Sequence, residues 1–89
     1  MIQTIVSVAP RQRTTLRGEV VRVHAFERPW VRTDVVLSDG TANLVLRFVG
    51  RRSVPGFCPG RQVLVEGTVG PVGHDLVMLN PLYSFDGVG

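Results

Sequence analysis

Lysine is missing from this 89-residue chain, whose ten basic residues are all arginine, and cysteine occurs only once, as Cys58. A single cysteine excludes a disulfide within the chain and fits a reducing compartment. Charged residues make up only 19% of the sequence and aromatic residues 7%. Because 44% of the residues are hydrophobic and aliphatic residues recur along the whole chain, the composition favours one compact domain over a disordered segment.

Long apolar runs are missing as well, and no segment shows the spacing of apolar residues that is typical of an amphipathic helix. The N-terminal sequence MIQTIVSVAP has neither a basic region nor a long apolar core. We therefore expect no signal peptide and no membrane-spanning segment, and we expect a cytoplasmic protein.

The residue patterns of enzymes and metal sites are not found either. Neither histidine lies near a nucleophile motif, the acidic residues are scattered, and one cysteine with two distant histidines does not form a zinc-binding pattern. The sequence therefore predicts a binding protein without catalytic residues, bound metal or cofactor.

Short alternating and apolar stretches between glycine and proline residues predict an all-β protein with no long helix. The predicted strands cover residues 15–24, 31–38, 42–49, 62–69 and 75–80, and a further extended segment is predicted at 2–8. Asp39 and Gly40 predict a tight hairpin between the second and third strands. Residues 50–60, GRRSVPGFCPG, predict an irregular connection with at most one short helical turn.

The length of the hairpin loop determines which side chains lie opposite each other on the outer face. A two-residue loop would place Arg32 opposite Arg47, an unfavourable pair unless an anion or Asp34 relieves it, whereas a four-residue loop would place Asp34 opposite Arg47. The sequence leaves both alternatives open. Either even-numbered loop predicts the same core-facing residues: Val31, Thr33, Val35, Leu37, Ala42, Leu44, Leu46 and Phe48.

Positive charge is concentrated in the N-terminal half of the chain. Residues 1–52 contain nine arginines and four acidic residues, a net charge of +5, whereas residues 53–89 have a net charge of −2. Arginine forks suit phosphate binding and stacking on bases, although a GC-rich genome would also favour arginine over lysine. The position of each arginine is therefore more informative than its identity.

Four segments carry a resemblance to known proteins: RGEVVRV (17–23), LSDGTANLVLRFVGR (37–51), PGRQVLVEGTV (59–69) and LVMLNPLY (76–83). Through them the chain resembles bacterial OB-fold nucleic-acid-binding domains, including the wedge domain of the helicase that remodels branched DNA at stalled replication forks. With Gly18 in the first strand, the resemblance implies a five-stranded Greek-key barrel whose first strand bends to serve both sides. Ala42 departs from the pattern, because such domains commonly have glycine after the turn, and the chain has no P-loop motif.

The domain boundaries follow from the extent of the resemblance. Residues 14–85 are expected to form the OB-fold domain, residues 1–13 an N-terminal extension and residues 86–89 a short tail. The resemblance also implies that ligands lie across the second and third strands, between the loop HAFERPW (24–30) and the loop GPVGH (70–74).

The first of these loops contains Phe26, Arg28 and Trp30, the densest aromatic and basic cluster in the chain. Aromatic rings in a groove can stack on bases, and arginine can assist by its charge and its planar face. Packing at the end of the barrel is the alternative for Phe26 and Trp30, and it is the predicted role of Phe57 and Tyr83.

Arg51 and Arg52 follow the third strand, where they are predicted to contact phosphates, with ordinary solubility as the alternative. His74 lies in the second loop, where simple solvation is the alternative to ligand contact. The predicted nucleic-acid-binding residues are Phe26, Arg28, Trp30, Arg32, Asn43, Arg47, Arg51, Arg52 and His74.

We therefore expect a non-catalytic OB-fold module that binds single-stranded or branched nucleic acid through backbone charge and base stacking. DNA is favoured over RNA by the resemblance alone. The alternative is a protein-interaction OB domain that docks onto a repair, replication or translation assembly. An affinity that falls steeply with salt would distinguish nucleic-acid binding from apolar docking.

Overall fold

The computed structural model describes residues 3–85, so the predicted tail at 86–89 lies outside the described residues. Strands dominate this part of the chain, and none of its helices is long and apolar enough to cross a membrane. A short 3-10 helix, Ile5–Ser7, precedes six strands: β1 (Arg13–Phe26), β2 (Arg32–Ser38), β3 (Asn43–Val49), β4 (Gln62–Val72), β5 (Asp75–Leu79) and β6 (Leu82–Phe85).

The six strands form one sheet that closes on itself. Their order is β1-β2-β3-β5-β4-β6, and an additional pairing of β1 with β4 closes the first five strands into a barrel. β3 and β5 are parallel, and the other paired strands are antiparallel. The prediction of a small five-stranded all-β barrel is confirmed, with β6 added alongside β4.

β1 belongs to both sides of the barrel, as the sequence predicts. Its residues 13–19 pair with β4 and its residues 19–26 pair with β2, with an irregularity in the register between Val20 and Arg22. At this bulge the Val20 amide donates to the Arg61 carbonyl (2.9 Å), and the Gly60 amide donates to the Val20 carbonyl (2.7 Å). The backbone of the bend therefore keeps hydrogen-bond partners where the ladder is interrupted.

Gly18 lies where β1 packs closely against the end of β2. A Cβ atom at this position would lie 2.8 Å from the Leu37 Cγ atom and 2.8 Å from the Ser38 carbonyl oxygen. Neither neighbour can move freely, because Leu37 is fully buried and the carbonyl belongs to the backbone. The close approach therefore requires glycine.

The β2–β3 hairpin has a four-residue loop, since Ser38 pairs with Asn43. The register places Asp34 opposite Arg47 and so decides between the two alternatives that the sequence leaves open. Gly40 adopts a φ of 88°, which the turn requires and which glycine accepts without strain.

The core contains six of the eight hairpin residues that the alternation predicts to face inward: Thr33, Val35, Leu37, Leu44, Leu46 and Phe48, all at least 97% buried. The other two, Val31 and Ala42, are only partly buried. Val65 and Val69 of β4, Val77 and Met78 of β5 and Ile5 of the N-terminal segment are buried as well. Since one residue in two points inward along β2 and β3, the opposite face of the hairpin is left for polar side chains.

An aromatic cluster closes one end of the core. The ring centroids of Phe48 and Phe57 lie 5.5 Å apart, and the Phe57 ring lies 4.9 Å from Tyr83 and 5.0 Å from Phe85. The Arg61 guanidinium carbon lies 4.1 Å from the centroid of the Phe85 ring. Packing is therefore the role of Phe57 and Tyr83, as predicted.

Several element boundaries differ from the sequence prediction. β6 was not predicted; it follows Pro81, and its side chains are exposed or only partly buried. The segment predicted as extended at 2–8 is described from Gln3 onward; in this part Ile5–Ser7 form a 3-10 helix, and a bridge joins Gln3 to Leu16. β1 continues to Phe26, so the predicted loop at 24–30 begins as strand.

The Asp39 carboxylate fixes the turn between β2 and β3. It accepts hydrogen bonds from the Thr41 hydroxyl (2.6 Å) and the Thr41 amide (2.9 Å), and from the Ile5 amide (2.7 Å). Partial burial alone would raise the pKa of Asp39, but these hydrogen bonds and a longer one from the Ala42 amide outweigh it and lower the pKa. The same carboxylate thus holds the turn and attaches the N-terminal segment to it.

Replacement of Asp39 should therefore make stability less dependent on pH. A carboxylate whose pKa is lowered by folding stabilises the fold fully above its unfolded value of 3.8, and loses that contribution as the pH falls through the folded pKa. We expect Asp39→Ala to lower the free energy of unfolding by about 1–2 kcal/mol at neutral pH. In urea titrations at several pH values, the difference from the wild type should shrink below pH 3.8. A constant difference at all pH values would contradict this role of the charge.

Gly18→Ala should destabilise the barrel because its methyl group would overlap Leu37 and the backbone of Ser38. We expect a loss of about 1–3 kcal/mol in the free energy of unfolding, measured by urea denaturation. Gly70→Ala is the matched control, because Gly70 is also a strand glycine but a methyl group there would meet nothing within 4 Å beyond its chain neighbours. The control should stay within about 1 kcal/mol of the wild type. Equal effects of the two changes would show that strand propensity, not close packing, determines the result.

Candidate functional site

A groove of about 820 Å³ follows the outer face of the first three strands. Alternate residues of each strand line it, because side chains two positions apart point to the same face of a sheet. The cross-strand register aligns them in rows, with His24 opposite Asp34 and Asp34 opposite Arg47. The strand side chains that line the groove are Arg22, His24 and Phe26 of β1, Arg32, Asp34 and Val36 of β2, and Asn43, Val45 and Arg47 of β3.

The turn between β4 and β5 forms one wall of the groove. His74, Asp75 and Leu76 line this wall, with His74 in the turn itself and Asp75 at the start of β5. Gly73 adopts a φ of 60° beside them. Since β5 runs parallel to β3, the turn that precedes it lies near the start of β3.

An ion pair occupies the floor of the groove. The Arg47 Nε and Nη2 atoms each donate to one oxygen of Asp34, both at 3.0 Å, and the two side chains are only 15% and 13% exposed. The Asp34 hydrogen bond raises the pKa of Arg47, partial burial opposes this, and the charges of Asp34 and Asp75 add to the increase. This two-point geometry uses both carboxylate oxygens and fixes the Arg47 fork in place.

Arg32 lies beside this pair and over two aromatic rings. Its guanidinium carbon is 4.2 Å from the centroid of Phe26 and 4.8 Å from that of Trp30. Its Nε atom is 3.6 Å from the Asp34 Oδ1 atom, is buried and has no hydrogen-bond partner among the described residues. Because Arg32 is the register partner of Phe26, the strand pairing itself produces the cation–π contact.

The aromatic surface continues along β1. His24 lies two residues before Phe26, and the centroids of the two rings are 4.3 Å apart with an interplanar angle of 51°. Trp30 is 43% exposed and Phe26 is partly exposed, so neither belongs to the barrel core.

Five of the nine predicted site residues lie together in the groove. They are Phe26, Arg32, Asn43, Arg47 and His74.

The other four predicted residues do not line the groove. Trp30 approaches it through its contact with Arg32, whereas Arg28, in the same loop, is exposed and does not line it. Arg51 and Arg52 are exposed beyond the end of β3.

Backbone contacts hold the arginine pair beside the loop between β1 and β2. The Gly50 amide donates to the Val31 carbonyl (2.7 Å), and the Thr33 hydroxyl donates to the Arg51 carbonyl (2.7 Å). The Arg52 Nη1 atom lies 3.5 Å from the Glu27 Oε1 atom, but both side chains are more than two-thirds exposed. This ion pair therefore contributes little to stability.

Sequence reasoning missed Arg22 and His24 because of the bulge in β1. Up to Val20 the even-numbered residues of β1 are buried, so simple alternation would place both missed residues on the core side. The irregularity between Val20 and Arg22 reverses the facing, and even-numbered residues then line the groove. Gly18 was the available signal for a bend, but it does not give the position of the bulge.

Within residues 3–85, no group of three or more histidine, cysteine or acidic side chains is arranged to hold a metal ion.

Comparison with protein-family models gives no match, and comparison with curated proteins also gives none. Solved structures do match. One is RecG bound to a three-way DNA junction, with a TM-score of 0.82 and 20% identity over 99% of this chain. This chain spans only 13% of the length of that protein.

Two further structures match over nearly the whole chain. The OB domain of MM0293 from Methanosarcina mazei gives a TM-score of 0.76 at 16% identity, with 98% of this chain and 84% of that chain covered. The HINb domain of p204 gives a TM-score of 0.75 at 11% identity, with 96% and 47% covered. The strand order, the closed barrel and these similarities together show that residues 3–85 have an OB fold.

Proposed function

We propose that this OB-fold domain binds single-stranded or branched nucleic acid, with DNA as the favoured ligand, in the groove across β1, β2 and β3. The observation that carries the proposal is a row of planar side chains that begins in the groove and continues beyond it to Trp30. His24, Phe26, Arg32 and Trp30 follow one another through ring and cation–π contacts. A continuous planar surface of this kind suits the stacking of unpaired bases.

Cationic side chains around the groove supply the second part of the proposal. Arg22 lines the groove and has no ion-pair partner among residues 3–85, and Arg51 and Arg52 are exposed beside the loop between β1 and β2. Arginines in such positions attract a phosphate backbone without reading its sequence. The likeness to RecG in complex with a three-way DNA junction supports a DNA ligand, and branched DNA in particular.

The proposed activity is binding without catalysis, in the cytoplasm. A free and exposed Cys58 suits the reducing conditions of that compartment.

A protein-docking role is the second candidate, and a different surface favours it. Val72, Leu79 and Leu82 are each at least 49% exposed and line a shallow depression along β4 and β5, which Arg11 and Arg13 also line. Exposed apolar clusters with a polar rim are typical of interaction surfaces. Because this surface is separate in its residues from the groove, the two functions do not exclude each other.

Trp30 should report ligand binding directly, because it is the only tryptophan in the chain. We expect its fluorescence to change on titration with a short oligothymidylate. Trp30→Leu should weaken binding by about 1–3 kcal/mol through loss of stacking, and Trp30→Phe should lose less because it keeps an aromatic face. An emission spectrum that stays unchanged at saturating oligonucleotide would remove Trp30 from the interface.

Arg51 and Arg52 should contribute through their charge alone. Replacing both with glutamine should weaken binding to unrelated sequences by similar factors. The slope of log affinity against log salt concentration, called the salt slope below, should become less steep by about 0.7 for each single-strand phosphate contact that is lost. This slope is measured by fluorescence anisotropy with single-stranded DNA, RNA and a DNA fork.

The matched control is Arg11→Gln with Arg13→Gln, which removes the same charge from the depression along β4 and β5. It should leave the salt slope unchanged. If the salt slope becomes less steep only in the control, or in neither variant, then phosphate contact at the end of β3 is contradicted. That result would favour a protein partner instead.

A further inference from the structure

Asp34 accepts the two hydrogen bonds that the Arg47 fork would otherwise be able to donate to a phosphate. A phosphate and a carboxylate both accept two parallel hydrogen bonds from an arginine fork. In the structure Asp34 already accepts both from Arg47, at 3.0 Å each, and its Oδ1 atom lies 3.6 Å from the Arg32 Nε atom. The two arginines on the groove floor are therefore directed at an internal anion.

We propose that Asp34 is a specificity-determining residue that excludes phosphate from the groove floor, so that the groove selects ligands with unpaired bases over other polyanions. The inference rests on the proposed function, because it concerns the same groove. A phosphate approaching Arg47 must displace a bidentate carboxylate and meets the negative charge of Asp34. A base stacked on the planar side chains meets neither obstacle.

The burial of the pair makes Asp34 an effective competitor. Asp34 and Arg47 are 13% and 15% exposed, so salt and water screen their attraction much less than they screen an exposed pair. The Arg32 Nε atom has no hydrogen-bond acceptor among the described residues, and the planar face of Arg32 lies over Phe26 and Trp30. Its position beside Asp34 thus keeps it in the stacking surface instead of in a phosphate contact.

Asp75 provides a control of equal charge in the same groove. It lines the wall and attracts Arg47 through space, but it forms no ion pair with Arg47 among the described residues. Asp34→Asn and Asp75→Asn therefore remove the same charge from the same groove, and only the first releases an arginine fork. Asparagine keeps the size of Asp34 and one acceptor for Arg47, so the fold should persist, as circular dichroism can verify.

The test measures binding of a labelled oligothymidylate and of inorganic polyphosphate to the wild type and three variants. Asp34→Asn should tighten polyphosphate binding by about ten-fold, which corresponds to the gain of one charge-assisted hydrogen bond. It should tighten oligothymidylate binding by a smaller factor. Its salt slope with oligothymidylate should steepen by about 0.7 per released contact. Asp75→Asn should have a much smaller effect on both ligands, and Asp34→Asn with Arg47→Gln should return both affinities to near the wild-type values.

The competitor role is overturned if Asp34→Asn and Asp75→Asn have equal effects, or if the double variant keeps the gain. It is also overturned if wild type and Asp34→Asn bind both ligands with the same affinities; in that case nucleic-acid binding by the wild type still stands. If only Asp34→Asn binds the ligands, the competitor role is supported and the proposed function fails for the wild type. Should Asp34→Asn not fold, Asp34→Thr, which is neutral and favours strands, replaces it in the same measurements.

Discussion

The register of the β2–β3 hairpin is the constraint on which both the core and the groove depend. A four-residue turn pairs Ser38 with Asn43, and the Asp39 carboxylate holds that turn through Thr41. In this register the apolar residues of both strands point inward, and Asp34 lies opposite Arg47 on the outside. A slip of one residue would turn the apolar side chains of one strand to solvent and separate the ion pair. The same few hydrogen bonds therefore determine which residues are buried and which charges meet.

The second constraint is the bend of β1, which gives one strand two environments. Before the bulge, β1 contributes Leu16 and Val20 to the core, and after it the same strand contributes His24 and Phe26 to the groove. Close packing at Gly18 brings β1 against the end of β2, where a larger residue would collide with Leu37 and Ser38. The position of His24 and Phe26 in the groove thus depends on a glycine and a bulge that lie outside it, because both direct the second half of the strand.

The parts of the structure that follow regular alternation could be predicted from the sequence, and the parts that break it could not. The strands, the hairpin and its buried face follow from period-two spacing and from Asp39-Gly40, whereas the closed barrel follows from the resemblance to OB-fold domains. The length of the hairpin loop could not be decided, because both even lengths bury the same residues. Arg22 and His24 were missed because a bulge reverses their facing, and the stacking of Arg32 on Phe26 could not be foreseen while residues 24–30 were treated as one loop.

Arginines that look alike in the sequence have different roles because their surroundings differ. Arg47 and Arg51 are four residues apart, yet Arg47 is largely enclosed and bound to Asp34 while Arg51 is exposed beyond the end of β3. Salt screens exposed charges strongly and partly buried pairs weakly, so under the proposed function Arg51 and the other arginines without a buried partner should make ligand affinity depend on salt. On the groove floor, Arg32 instead presents the planar face of its guanidinium group beside the rings of Phe26 and Trp30. The basic half of the chain therefore contains exposed arginines outside the groove and two arginines on the groove floor that share the negative charge of Asp34. Under the proposals above, the exposed arginines attract anions and the floor distinguishes one anionic ligand from another.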